Sequence, residues 1–199
     1  MHSVINQIEK TIKSWKRGRF IFPKDFEYLG NQDSVRKALQ RLTISGLLYR
    51  VASGVYYYPK IDKKWGMGVL LPGYEEIANA VAKREKIRII PIGAYSLNKL
   101  GLSTQVPANV VFLTDGISRK IAMGKGKGIR FIHTTDMKWF AYKSDIMLLC
   151  VSSMRELGEK NITEEQLALI IEYVQKVPNN LFQDDIKLAP AWVRKMLML

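Results

Sequence analysis

Cysteine and histidine are almost missing from this sequence: one Cys and two His occur in 199 residues. A single thiol, Cys150, forms no intrachain disulfide, and the chain suits a reducing cytoplasm. His2 and His133, without a Cys cluster, make no structural zinc set, so neither a metal nor a cofactor is expected. Long apolar runs are missing too. The longest near a helical pattern, Ile146–Val151, falls far short of the roughly 20 residues that span a bilayer. Met1–Trp15 interleaves polar residues where a signal peptide would carry an apolar stretch. No membrane partner is expected. Acidic residues are few: 18 Asp+Glu stand against 31 Lys+Arg, a formal net charge of +13. That excess points to a polyanionic partner. Otherwise the chain is 47% hydrophobic and 25% charged, an ordinary globular inventory that excludes wholesale disorder.

The charge is unevenly spread. Residues 1–64 carry a net +8, 65–118 +1, 119–143 +6 and 144–199 −2. Such asymmetry marks a domain division or a partner-specific face. The polar stretch Pro59–Lys64 lacks apolar periodicity, so the expected division is a domain over 1–60, a linker over 61–66 and a second domain over 67–199.

In the first 60 residues, Val4, Ile5, Ile8, Ile12 and Trp15 recur at helical spacing, which predicts a helix over Ser3–Trp15 with Ser3 as its cap. Phe20-Ile21-Phe22 is a short apolar run, and Pro23 can open a short helix to Leu29. Asn31 or Asp33 can cap a third helix that runs to about Ser45 and closes at Gly46. Its apolar stripe is Val35, Ala38, Leu39 and Leu42; Asp33, Arg36, Lys37, Gln40 and Arg41 face the other way. Leu47–Val51 and Val55–Tyr58 read as strands of a hairpin turning at Ala52-Ser53-Gly54. Three helices and then a hairpin is the order of a winged helix-turn-helix. Arg and Gln pair bidentately with base edges in the major groove, and other Lys or Arg neutralise phosphates. The DNA-binding candidates are therefore Ser34, Arg36, Lys37, Gln40, Arg41 and Arg50.

Three blocks resemble bacterial AbiEi-type antitoxins of abortive-infection toxin–antitoxin pairs. The first runs from Ser34 through Leu42, Gly46–Val51 and Gly54–Tyr57. The second is Gly93-Ala94-Tyr95-Ser96-Leu97-Asn98-Lys99-Leu100-Gly101-Leu102-Ser103-Thr104-Gln105-Val106-Pro107, followed by Val111–Gly116 and Ser118–Ile121. The third is Leu188–Val193. The Leu-Gly-Leu-Ser-Thr-Gln-Val-Pro portion is the most specific. The resemblance implies an N-terminal winged helix that represses its own operon at inverted repeats in promoter DNA. It also implies a C-terminal domain that neutralises a nucleotidyltransferase-like toxin, directly or indirectly. One feature departs from it: the hairpin tip of such proteins is often basic, whereas Ala52-Ser53-Gly54 is neutral. Arg50 is then the better phosphate contact.

The remaining residues read as α+β. Helices are expected over Tyr74–Lys86, Gly93–Leu100, Ser144–Leu157, Thr163–Val177 and Ala191–Leu199. Strands are expected at Arg88–Ile92 and Ile129–His133, with a hairpin of Val110–Leu113 and Ile117–Met123 around Asp115-Gly116. Gly124–Gly128 lacks the spacing of a phosphate loop and reads as a basic connection between strands. Arg119, Lys120, Lys125, Lys127 and Arg130 form a second candidate set, for DNA phosphate or a toxin surface. His133 has no Ser, Asp or Cys at a spacing that would make it catalytic, and Cys150 reads as a small core residue. No catalytic site is assigned, and no enzyme is expected. The alternative to an antitoxin is a winged-helix transcription factor whose C-terminal domain senses a ligand or dimerises. A nuclease built on residues 119–143 would need a carboxylate or His cluster that the sequence does not supply.

Overall fold

The computed structural model describes residues 3–198; His2 and the expected final helical residue, Leu199, lie outside the described residues. The chain is α+β and divides into two compact units, Met1–Val81 with Ile121–Lys125, and Ala82–Lys120 with Gly126–Leu199.

The first unit opens with α1 (Val4–Ser14), whose Ile8 and Ile12 are fully buried. Ser3 stands at its cap position, but its side chain makes no capping bond. Next comes β1 (Arg19–Ile21), formed by the short apolar run after Gly18. A 3-10 segment, Pro23–Leu29, inserts Phe26 into the core. Helix α2 (Gln32–Ile44) follows, capped by the Asn31 side chain, which accepts from the Ser34 N–H at 2.9 Å. Val35, Ala38, Leu39 and Leu42 of α2 are buried in the same cluster as Ile8, Ile12, Ile21 and Phe26, as a period-3.6 stripe requires.

Strands β2 (Tyr49–Ala52) and β3 (Val55–Tyr58) then form a hairpin. The sheet order is β1-β3-β2, all antiparallel, with Ile21 opposite Tyr56 and Ala52 opposite Val55. Because β3 is central, all four of its residues are buried. The Phe20 and Tyr57 rings meet across β1 and β3 at 5.0 Å, and burial, followed by the Glu76 carboxylate, raises the Tyr57 pKa.

Residues 61–66, expected as a linker, carry regular structure. They hold the end of β4 (Lys60–Asp62) and the turn to β5 (Gly68–Leu70), an antiparallel pair. The Asp62 carboxylate clasps that turn by accepting N–H bonds from Lys64, Trp65 and Met67. The boundary between the two compact units falls within α3 (Tyr74–Glu85), between Val81 and Ala82.

The four-stranded sheet has the order β6-β7-β9-β8. It contains β6 (Ile89–Ile92), β7 (Asn109–Thr114), β8 (Arg119–Gly124) and β9 (Lys127–His133). Strand β7 pairs antiparallel with β6 and parallel with β9. The expected hairpin of Val110–Leu113 with Ile117–Met123 is therefore absent: β8 is not a neighbour of β7. Asp115 is drawn to Arg88, accepting from its backbone N–H and from Nε, both at 2.8 Å. The tight turn lies between β8 and β9, where Lys125 and Gly126 both have positive φ, 48° and 73°, the left-handed geometry of a two-residue type I′ loop.

Helix α4 (Ala94–Lys99) follows β6. Helices α5 (Asp145–Leu157), α6 (Glu164–Gln175), α7 (Asn179–Asp185) and α8 (Ala191–Leu197) complete the second unit. Thr163 and Gln166 form the expected capping box at α6. Its helix ends at Gln175 rather than Val177, because Pro178 favours an extended residue before it. Met147, Cys150, Val151 and Met154 of α5 are buried with Ile170 and Val193. The start of α5 is tied down by Asp185, fully buried, which accepts the N–H groups of Lys143 and Ser144 at 2.8 Å each.

Candidate nucleic-acid interface

Thirteen residues make α2 about 20 Å long, and burial of its apolar stripe leaves Arg36, Lys37, Gln40 and Arg41 exposed. Arg36 and Gln40 stand one turn apart and therefore share a face. Both line a recess of about 450 Å³, together with Thr43 and Ile44 of α2, Arg50 of β2, Ser53 and Gly54 at the hairpin tip, Tyr56 and Pro23. A register shift between Arg50 and Ala52 marks a bulge in β2, a device that bends a strand and re-aims its side chains. No carboxylate lines the recess.

Three other basic residues of this unit are committed to structure. Lys13 pairs with Glu9 at 2.6 Å. The Arg17 guanidinium lies 4.5 Å from the Tyr58 ring centroid and donates to the Pro59 carbonyl. That of Arg19 lies 3.9 Å from the Trp15 centroid. Arg36, Lys37, Arg41 and Arg50 have no ion pair among the described residues. Their charge is available to a ligand.

Of the six candidates, Arg36, Gln40 and Arg50 converge on the recess. Lys37 and Arg41 share the exposed face of α2 but lie outside the recess lining. Ser34 is half-buried, and its hydroxyl donates to the Asn31 carbonyl at 2.8 Å, so it serves the helix start. Pro23, Thr43, Ile44, Ser53, Gly54 and Tyr56 were not among the candidates. One signal for Ile44 was present: it falls off the apolar stripe, and it is 79% exposed. Chemically, the recess offers a guanidinium and an amide suited to base edges and an apolar side chain suited to a thymine methyl.

The second basic set divides into one paired residue and four exposed ones. Arg119 is withdrawn into an ion pair with Glu85 at 2.6 Å, and its guanidinium lies 5.4 Å from the Phe131 ring centroid. Lys120, Lys125, Lys127 and Arg130 are exposed. His133 is tied to a loop, its Nδ1 2.8 Å from the Gly116 carbonyl and its backbone N–H donating to Ser118 Oγ. Burial pushes the Cys150 thiol up to about 12, which keeps it protonated and unreactive. Among the described residues, no three His, Cys, Asp or Glu side chains gather where they could hold a metal ion, and no helix is long and apolar enough to cross a membrane.

Comparison with protein families matches residues 7–181 to one described as "Family of unknown function (DUF6088)". No curated protein matches. Among solved structures, the crystal structure of the RV2827C protein from Mycobacterium tuberculosis is similar. It has 10% sequence identity and a TM-score of 0.47, over 98% of this chain and 80% of that one.

Proposed function

The chain belongs to DUF6088, a family of unknown function, and we propose that it is a DNA-binding autoregulator and the antitoxin of a toxin–antitoxin pair. One observation carries the DNA-binding half of this reading: Arg36 and Gln40 of α2 and Arg50 of β2 line one recess without a carboxylate. We read the first unit as a winged helix, with α2 entering the major groove and the β2–β3 hairpin as the wing. Its elements run helix, strand, helix, helix and hairpin, with the first strand beside the last. Lys37 and Arg41, outside the recess on the same helix, suit the flanking phosphates.

The antitoxin half draws on the AbiEi-like blocks at Gly93–Pro107, Val111–Gly116, Ser118–Ile121 and Leu188–Val193. It assigns neutralisation of a nucleotidyltransferase-like toxin to the C-terminal part of the chain, acting in the cytoplasm. The alternative, a regulator whose C-terminal part senses a ligand, draws on an apolar recess of about 330 Å³ lined by Val174, Val177, Phe182 and Leu197.

The full chain is to be titrated onto duplex DNA taken from immediately upstream of its own reading frame, and co-expressed with the product of the adjacent gene. Salt-dependent binding to that duplex and relief of growth arrest support both halves. Binding without relief leaves the ligand-sensing regulator. Absence of binding removes the DNA-binding reading.

A further inference from the structure

Ser53 lines the recess with Arg36, Gln40 and Arg50, and its backbone N–H donates to the Ala122 carbonyl at 2.9 Å. Ala122 lies in β8, at the edge of its sheet, and Ile121–Lys125 groups with the first unit. An edge strand carries backbone groups its own sheet leaves unpaired, and the hairpin tip takes one of them. The tip of the β2–β3 hairpin is thus held against β8, three residues before Lys125. Three extended residues span about 10 Å, roughly half the length of α2. The scale is that of one interface.

Charge is divided between the two neighbours. Ala52-Ser53-Gly54 has none. Lys125 is exposed, makes no ion pair among the described residues, and is held at φ 48° in a tight turn. A two-residue turn presents its side chain with little backbone freedom to lose. Resting on the reading of α2 as the DNA-reading helix, we infer that Lys125 contacts a DNA phosphate beside the recess. From the β8–β9 turn it supplies the positive charge that the neutral hairpin tip lacks. The DNA surface then includes a residue about 70 positions beyond the DNA-binding segment. Its contribution is to affinity and placement, not to base choice.

Lys125→Asn removes the charge while suiting the left-handed backbone; Lys125→Arg keeps it, and Lys160→Asn, at another exposed lysine, controls for net charge. The full chain is to be titrated, over a range of salt, onto its upstream duplex and onto a random-sequence duplex of equal length. Lys125→Asn is expected to weaken both by the same factor, about three- to tenfold at low salt, and to reduce the log–log salt slope by about one. Lys125→Arg is expected to bind as the parent does. Should Lys125→Asn change affinity no more than Lys160→Asn, while Arg36→Ala still removes the preference for the upstream duplex, the Lys125 contact is overturned and the reading of α2 stands. Should neither Arg36→Ala nor Lys125→Asn alter binding, the reading of α2 fails and this inference with it.

Discussion

Arg36 and Arg50, on a helix and a strand fourteen positions apart, line one recess. Two guanidinium groups brought together without a carboxylate repel each other unless an anion sits between them, and one core cluster holds α2 through Val35 and Leu39 and the residue before β2 through Leu48.

Base recognition and phosphate contact are expected to separate by mutation. Arg36→Ala and Gln40→Ala each lose about 1–3 kcal/mol of discrimination between the upstream duplex and a random one. Lys37→Ala and Arg41→Ala weaken both duplexes alike and flatten the salt dependence. Competition titrations at two salt concentrations distinguish the classes. A uniform loss in all four variants contradicts the assignment of Arg36 and Gln40 to base edges.

Asn31→Ala removes the side-chain cap that accepts the Ser34 N–H. Caps of this kind contribute about 1 kcal/mol, so urea denaturation should show that loss with little change in the slope. DNA affinity at low temperature should stay near the parent's. An unaltered midpoint contradicts the capping role.

Asp185→Ala leaves the buried N–H groups of Lys143 and Ser144 without their acceptor. Each orphaned donor costs about 1–3 kcal/mol, and the full chain should unfold at clearly lower denaturant. Asp185→Asn retains an acceptor oxygen and should lose less. Equal stability of Ala and Asn variants contradicts this account of how α5 is anchored.

Alkaline pH should destabilise the second unit. Burial raises the Cys150 thiol from its ordinary 9.0 to about 12 and the Tyr142 phenol from 10.0 to about 12. Both favour the protonated form in the folded state, so their contribution is complete below about pH 9 and falls as pH rises toward 12. Denaturant midpoints of the parent and Cys150→Ala, compared between pH 8 and pH 11, check this. The parent should lose more stability than the variant across that span.

The helices were legible because their signals are local. The stripe Val35, Ala38, Leu39, Leu42 and the capping box Thr163–Gln166 lie within one or a few turns. Strand partnership is not local, and there the sequence misled. Asp115-Gly116 looks like a hairpin turn, yet Gly116 does not adopt positive φ, and Asp115 serves Arg88, 27 positions away. The true tight turn, Lys125-Gly126, lies in the stretch that reads as a basic connection between strands, and it joins β8 to β9. Asp62 turned a polar stretch into the β4–β5 hairpin by accepting three backbone N–H groups, a pattern invisible to periodicity. In the recess, Arg36, Gln40 and Arg50 could be named beforehand from charge and helical phase. Ser53 and Gly54 join them only because β2 and β3 fold back, and seven-residue α7 is too short to show a period.

The central claim is that α2 and the β2–β3 hairpin read DNA. Footprinting of the full chain on the DNA immediately upstream of its reading frame tests it most directly. The account predicts discrete protected segments arranged as an inverted repeat, lost together in an Arg36→Ala/Gln40→Ala double variant that remains folded. Absence of protection at salt low enough to permit non-specific binding, or a footprint unaltered in the double variant, would contradict it.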